Sequence, residues 1–105
     1  MSEIRTCDDH GVFEGSQCPD CGTAGQQVVS ASNRTRASKF LSGALRHFPD
    51  DVDLDLDAAG WADFETVVRR TLDEYDWLDE RAVKAIVRTD PKGRFEVDGG
   101  RIRAA

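Results

Sequence analysis

The chain has 105 residues, enough for one small domain with an appendage and too few for two full domains. It lacks an apolar run of about 18 residues and the basic-then-apolar layout of a signal peptide, which argues against a membrane protein and predicts a soluble, cytoplasmic one. The net charge is −6, and the charged residues are mainly Asp and Arg, as in proteins of salt-loving archaea. At molar salt the Debye length is only about 3 Å, so the negative charge of the chain does not exclude an RNA or DNA partner.

The first predicted element is a metal-binding segment. Cys7 and His10 form a C-x2-H pair, and Cys18 and Cys21 form a C-x2-C pair further along the chain. Two such pairs are typical of tetrahedral Zn²⁺, and four protein ligands leave no open position for a reacting water. We therefore predict a structural zinc site in a knuckle formed by residues 1–25. The alternative is three ordinary thiols, with one disulfide among them, and a surface histidine.

A linker and a first helix are predicted next. Residues 26–36 are mostly small and polar, which predicts a linker with at most one short strand. Apolar side chains then recur at helical spacing from Ala37 to Phe48. Pro49 ends this first predicted helix, because proline cannot continue one.

The outward face of this first helix carries a cationic stripe. Lys39 and Arg46 lie two turns apart, opposite the apolar face, and Ser42 lies at the edge of the same outer face. Gly43 lowers helix stability by about 1 kcal/mol relative to alanine, which implies either tight packing or access for a ligand. The stripe predicts an anion site. The alternative is that Arg46 and His47 are cations that stabilise a helix C-terminus.

A strand, two helices and a hairpin are predicted after the first helix. Residues 52–56 alternate apolar side chains with aspartates, as in a half-buried strand. Asp63 and Asp79 can each cap a helix, and the Asp-Gly-Gly sequence at residues 98–100 is a hairpin signal. The order of helix, strand, helix, helix and hairpin predicts an α+β winged-helix domain over residues 37–105.

Structural roles are predicted for two further sets of residues. Trp61 and Trp77 precede helices and are interpreted as core anchors rather than stacking platforms. Four arginines fit the solvated faces of the second and third helices: Arg69, Arg70, Arg81 and Arg88.

Four segments of the chain resemble motifs of a known family. They read "SKFLSGALRHFP", "LDLDAAGWADFETVV", "VRTDPKGRFEV" and "GGRIRA", in the family's order and spacing. On these motifs, residues 36–105 resemble the N-terminal lobe of the NAD-dependent RNA 2′-phosphotransferase family. The segment "CDDHGVFEGSQCPDCG" is similar to the N-terminal extension of archaeal members. In this family the first lobe is a winged helix, the second lobe binds NAD, and RNA is held between them.

The resemblance implies a reaction and residues that take part in it. An internal RNA 2′-phosphate attacks the nicotinamide ribose of NAD, nicotinamide leaves, and transesterification yields ADP-ribose 1″,2″-cyclic phosphate and a 2′-OH. Arg46 matches the one member of the family's essential Arg-His-Arg-Arg set in the first lobe, and His47 matches the histidine beside it. Both are therefore expected to be catalytic. The residues expected to bind RNA are Lys39, Ser42, Lys92 and Arg94.

The resemblance also sets expectations about cofactors and partners. The family's NAD-binding lobe would follow residue 105, so the chain is expected to be an N-terminal piece that is inactive alone and holds no NAD-binding residue. We expect a monomer with structural zinc, whose partners are NAD and an RNA carrying an internal 2′-phosphate, tRNA being one candidate. The alternative function is a zinc-containing winged-helix regulator with its third helix in the DNA major groove, although Asp79 and Glu80 open that helix.

Overall fold

The computed structural model describes residues 2–105, which form an α+β fold with three helices and two three-stranded antiparallel sheets. None of the helices in residues 2–105 combines the length and apolar character needed to cross a bilayer. In chain order the elements are β1 (Ile4–Cys7), β2 (Gly11–Glu14), β3 (Gln26–Val29), α1 (Ala31–Arg46), a 3-10 turn (Asp50–Val52), β4 (Ala62–Asp63), α2 (Phe64–Glu74), α3 (Glu80–Arg88), β5 (Phe95–Asp98) and β6 (Arg101–Ala104).

The N-terminal sheet has the order β2-β1-β3, with Ile4 of β1 paired to Val29 of β3. The chain passes from β3 into α1 through Ser30, whose hydroxyl accepts a hydrogen bond from the Asn33 N–H at 3.2 Å. This N-cap starts the helix at Ala31, so the predicted start at Ala37 is wrong by six residues. Residues 26–36 therefore hold a strand and the first turns of a helix.

The strand predicted over residues 52–56 is also wrong. Val52 is the last residue of a 3-10 turn, and Asp53 has a left-handed backbone with φ of 54°, which interrupts an extended chain. The Leu54 N–H instead donates to the Pro49 carbonyl at 2.9 Å, and the Leu54 side chain is buried. The strand of this region is β4, which pairs with β6 through Ala62 and Ile102.

The later elements confirm the capping and turn predictions. The Asp63 carboxylate accepts a hydrogen bond from the Thr66 N–H at 2.9 Å at the start of α2. Asp79 does the same for the Ala82 N–H at 2.8 Å at the start of α3. The Gly99–Gly100 turn between β5 and β6 has φ of 57° and 79°, the positive values that a tight hairpin needs.

One hydrophobic core joins both sheets to the three helices. Leu41 of α1, Val83 of α3 and Ile102 of β6 have no exposed surface, and the N-terminal sheet contributes Ile4 and Val29 to the same cluster. Burial of such side chains contributes about 1.5–3 kcal/mol each to folding. The metal-binding segment is therefore packed on the helical part of the chain rather than tethered to it.

Candidate functional site

The four predicted metal ligands lie together in the structure. Their ligand atoms are all within 4.8 Å of one another. Cys7 Sγ lies 3.5 Å from His10 Nδ1 and 3.6 Å from Cys21 Sγ, and Cys18 Sγ lies 3.7 Å from His10 Nδ1. A tetrahedral zinc ion with Zn–S bonds of about 2.3 Å separates its sulfur ligands by about 3.8 Å. The donor set and its spacing therefore fit Zn²⁺, and all three cysteines are free in the structure.

Local structure brings these ligands together. Cys7 ends β1, and the turn that follows carries His10 back toward it before Gly11 begins β2. The second pair sits in a knuckle in which the Cys18 N–H donates to the Thr23 carbonyl at 2.7 Å. Phe13 and two of the cysteines form a small buried cluster of their own beneath the site.

The thiols of the cluster differ in acidity. Hydrogen bonding to the Asp9 backbone, together with hydrogen bonds from His10, lowers the pKa of Cys7 to about 7. Burial of the thiol acts in the opposite direction and raises the pKa. For Cys21 the Thr23 backbone N–H lowers the pKa, but hydrogen bonding with Cys7 and burial outweigh it, and the net pKa is raised. The thiolate is the form of cysteine that binds metal. The lowered pKa therefore favours the metal-binding form of Cys7 at neutral pH.

A cationic cavity collects three of the residues expected to bind RNA. Lys39 of α1 lies beside Lys92 and Arg94 of the loop between α3 and β5, and together with Thr35 and Pro91 they line a space of about 310 Å³. Lys39 and Lys92 are exposed and have no carboxylate partner within residues 2–105. We call this space the lysine cavity. Its chemistry suits a phosphate group.

Arg94 is held in place in the lysine cavity by an ion pair. Its Nη2 lies 2.7 Å from Asp90 Oδ1 and donates to Ser38 Oγ at 2.7 Å. Only 3% of the Asp90 side chain is exposed. Burial raises the pKa of Asp90, but the hydrogen bonds and charge of Arg94 outweigh it and hold the pKa below its usual range. The ion pair therefore fixes the position of the Arg94 guanidinium at the cavity, while Asp90 balances part of its charge.

Arg46 and His47 lie at the C-terminal end of α1, outside the lining of the lysine cavity. Both side chains are exposed, and Ser42, one turn earlier, is half-buried. Arg46 Nη2 donates to the Ala105 carbonyl at 2.5 Å. His47 is the C-cap, and its backbone N–H donates to the Gly43 carbonyl at 2.7 Å. Arg46 thus keeps most of its five donors for another partner.

The structure explains Gly43 by packing. A Cβ at this position would lie 2.5 Å from the ring of Phe48, which directly follows the helix and packs back over it. The ring in turn lies 6.2 Å from that of Phe40. Of the two explanations open from the sequence, tight packing therefore accounts for this glycine, and no bare surface is left there for a phosphate.

The sequence prediction missed Arg34. Its side chain is 1% exposed, and its guanidinium donates to the Ser2 carbonyl at 2.8 Å and to the Thr89 carbonyl at 2.9 Å. Arg34 Nη2 also forms an ion pair with Glu14 Oε1 of β2 at 3.3 Å. The predicted linker over residues 26–36 includes Arg34, although its position seven residues before Leu41 places it on the buried face of the helix. It joins the N-terminal sheet to the end of α3.

Neither tryptophan is a core anchor. Trp77 is 37% exposed and stacks against Tyr75 at 4.8 Å, with Arg36 Cζ lying 5.3 Å from its ring centre. Trp61 is half-buried beneath Arg103, whose Cζ lies 4.5 Å from the ring. The interpretation as core residues is wrong because each ring packs on surface cations instead.

Comparisons with known proteins agree on one family. Residues 32–105 match the family model described as RNA 2′-phosphotransferase, Tpt1 / KptA family. The chain is 42% identical to a probable RNA 2′-phosphotransferase of Haloarcula marismortui over 97% of its length, and 39% identical to probable RNA 2′-phosphotransferase 1 of Archaeoglobus fulgidus over 99%. A probable RNA 2′-phosphotransferase of Methanosarcina mazei is 36% identical over 96%. The chain spans 51%, 48% and 49% of these relatives, about half of each.

Proposed function

The chain belongs to the RNA 2′-phosphotransferase, Tpt1 / KptA family, and we propose that it is the RNA-binding N-terminal lobe of an NAD-dependent enzyme. That enzyme transfers an internal RNA 2′-phosphate to NAD. The products are ADP-ribose 1″,2″-cyclic phosphate, nicotinamide and RNA with a 2′-OH. The observation that carries this proposal is the lysine cavity, because its cations come from two separate segments that both match family motifs.

We propose that residues 37–105 are a winged helix, preceded by a zinc knuckle over residues 1–25 and a connecting segment over 26–36. The order α1, β4, α2, α3, β5, β6 and the sheet order β4-β6-β5 support this assignment. In such a domain the β5–β6 hairpin is the wing. Zinc would be structural, held by the four clustered ligands and joining the β1–β2 turn to the Cys18 knuckle.

The residues of this lobe would position the RNA. Lys39, Lys92 and Arg94 would hold backbone phosphates in the lysine cavity, where two mobile ammonium groups flank one fixed guanidinium. Arg46 would place a fork of N–H donors on the oxygens of the 2′-phosphate, a bidentate contact that a lysine cannot reproduce. His47 lies beside it at the end of the helix, and Ser42 offers a hydroxyl one turn before.

The acceptor chemistry belongs to NAD, which supplies the ribose carbon and nicotinamide as leaving group when it is bound by the second lobe. Charge neutralisation on the RNA phosphate is the contribution of Arg46. It reduces the repulsion between the attacking phosphate and the phosphates of the second substrate. Positioning by the lysine cavity reduces the entropy lost on bringing the two substrates together.

Binding measurements on the 105-residue chain test this function. A labelled tetranucleotide RNA with one internal 2′-phosphate is expected to bind more tightly than the same RNA with a 2′-OH, by fluorescence anisotropy. Lys39→Ala and Lys92→Ala should each weaken binding of the phosphorylated RNA, whereas Arg69→Ala on exposed α2 should not. Equal affinity for the two RNAs would show that the lobe does not recognise the 2′-phosphate.

A further inference from the structure

A second cavity, of about 650 Å³, lies between the N-terminal sheet and α3. Val12 of β2 forms one wall, and the outward face of α3 forms the other through Arg81, Lys84 and Arg88. Ala85, Thr89 and the acidic residues Asp79 and Glu80 complete the lining. We call this space the α3 groove. From the sequence, its arginines are predicted to lie on a solvated helix face, with DNA reading by this helix as the alternative.

The α3 groove carries free positive charge in an acidic chain. Arg81 and Arg88 are exposed and make no ion pair with any carboxylate of residues 2–105. They are seven residues apart, so about 10.5 Å of helix separates them on the same face. Lys84 between them is neutralised by Glu80 at 2.7 Å and by Glu65 at 3.3 Å. The groove therefore has two unpaired guanidinium groups, one near each end of α3.

The wall opposite α3 carries one exposed apolar side chain. Val12 of β2 is 40% exposed there, whereas Ala85, which also lines the groove, belongs to α3 and is buried. An apolar side chain on one side can contact sugars and bases, and guanidinium groups on the other side can bind phosphates. A single nucleic-acid strand has this character.

The α3 groove and the lysine cavity are neighbours along the chain. Thr89 lines the groove and Pro91 lines the lysine cavity, with the buried Asp90 between them. Arg34 fixes the Thr89 carbonyl, and the Asp90–Arg94 ion pair fixes the loop that follows. Arg88 of the groove and Lys92 of the lysine cavity are therefore four residues apart in the chain, on either side of these contacts.

We propose that the α3 groove binds the RNA strand that flanks the 2′-phosphorylated nucleotide, with Arg81 and Arg88 on its backbone phosphates. This inference rests on the proposed function and extends it from the reacting phosphate to the neighbouring nucleotides. Asp79 and Glu80 line the start of the groove, where Asp79 caps α3 and Glu80 pairs with Lys84, so the phosphates are expected at the two unpaired arginines.

Duplex DNA is a poorer occupant of the α3 groove. A helix with its side chains is about 10–12 Å wide and fills a major groove of about 12 Å, which requires free space on both of its sides. In this chain Val12 of β2 stands across from α3 and occupies one of those sides. A single strand passes between the two walls without that requirement.

Two RNA lengths separate this inference from the proposed function. The probes are the tetranucleotide with one internal 2′-phosphate and a single-stranded 16-mer containing the same phosphorylated sequence. The 16-mer is expected to bind the 105-residue chain more tightly. The double variant Arg81→Ala/Arg88→Ala should lose about 10-fold in affinity for the 16-mer and none for the tetranucleotide. Its slope of log K against log salt should fall by about 1.4, since each single-strand phosphate contact contributes about 0.7.

The matched control is Arg69→Ala, an exposed arginine of α2 that lies outside both cavities, which should leave both affinities unchanged. Circular dichroism should show that every variant is folded. If the 16-mer binds no better than the tetranucleotide, or if the double variant binds it normally, the groove does not hold RNA. If the double variant loses more affinity for a 16-base-pair DNA duplex than for the RNA 16-mer, α3 binds DNA rather than RNA. Failure of the tetranucleotide to prefer the 2′-phosphate would instead refute the proposed function.

Discussion

Arg34 and Thr89 are 55 positions apart in the chain, yet the Arg34 guanidinium donates to the Thr89 carbonyl at 2.9 Å and to its hydroxyl at 3.2 Å. The same guanidinium reaches the Ser2 carbonyl and Glu14. One buried side chain therefore connects the start of the chain, the second strand and the end of α3. Both proposed RNA-binding cavities lie beside the residues that it holds.

Replacing Arg34 by alanine should destabilise the whole chain. The change leaves buried carbonyl oxygens without donors and a cavity in place of the guanidinium, and we expect a loss of about 3 kcal/mol in the free energy of unfolding. Urea denaturation measures it. Arg36→Ala, two residues away and exposed, should change stability by less than about 1 kcal/mol. Equal effects of the two variants would mean that Arg34 is not the connecting residue.

Purified protein should contain about one zinc ion per chain, because Cys7, His10, Cys18 and Cys21 are in place to bind it. Elemental analysis measures the content. Cys18→Ser/Cys21→Ser should abolish it, whereas Asp20→Asn, between these two cysteines, should not. Loss of the metal should raise hydrogen exchange in residues 2–25 more than in α2. Metal content that survives removal of both cysteines would refute the site.

The Asp90–Arg94 ion pair should make stability depend on acid pH. The pKa of Asp90 is lower in the folded chain than its unfolded value of about 3.9, so its contribution is fully present above about pH 5 and is lost as the pH falls through the folded pKa. Urea denaturation between pH 6 and pH 3 measures this loss. Asp90→Asn should be less stable at pH 6 and should lose less stability on acidification. The exposed Asp98→Asn should keep the original pH dependence.

Gly43 and Phe48 should be energetically coupled. Gly→Ala in a helix normally gains about 1 kcal/mol, but here the new methyl group meets the Phe48 ring and pushes it from its place beside Phe40. We expect Gly43→Ala to stabilise the Phe48→Ala variant and to give no gain in the original chain. A double-mutant cycle should yield a coupling energy of about 1 kcal/mol or more. Additive effects would contradict the packing explanation.

Arg46→Ala should abolish most 2′-phosphate removal in an enzyme that contains both lobes, while leaving the fold intact. Arg46→Lys should restore little, because an ammonium keeps the charge without the bidentate fork. Turnover is measured as nicotinamide release. Leu45→Ala, which is buried beside it, should instead lower stability by about 2–5 kcal/mol. An Arg46→Ala enzyme that turns over normally but melts like Leu45→Ala would make Arg46 structural.

Local signals in the sequence predicted much of the fold and part of the site. The carboxylates of Asp63 and Asp79 each accept a hydrogen bond from an N–H only three residues later, and the turn at Gly99 depends only on the backbone of its own glycines. Both features could therefore be predicted from the local sequence. The metal ligands were found for the same reason, since their spacing is itself the signal. The strand prediction for residues 52–56 was wrong because alternation of apolar and polar residues indicates a strand only where a neighbouring strand is available to pair with it.

Long-range contacts could not be predicted in this way. The role of Arg34 depends on Thr89, and the lysine cavity depends on α1 meeting the loop before β5. The α3 groove needs Val12 to stand opposite a helix that begins 68 residues later. Each relationship is a product of packing between distant segments, and no pattern within either segment encodes it.

The placement of Ile4 and Val29 in the common core has a consequence for the order of folding during synthesis. The four metal ligands lie within residues 7–21, so the ribosome can release the whole ligand set early, and closing so short a loop loses little chain entropy. The apolar side of the same sheet packs in a cluster with Val83, Ile86 and Ile102, which are synthesised after it. If zinc binds as proposed, the nascent chain can take up the metal before the sheet meets its partners in the core. The ion would then hold the sheet together until those partners are made.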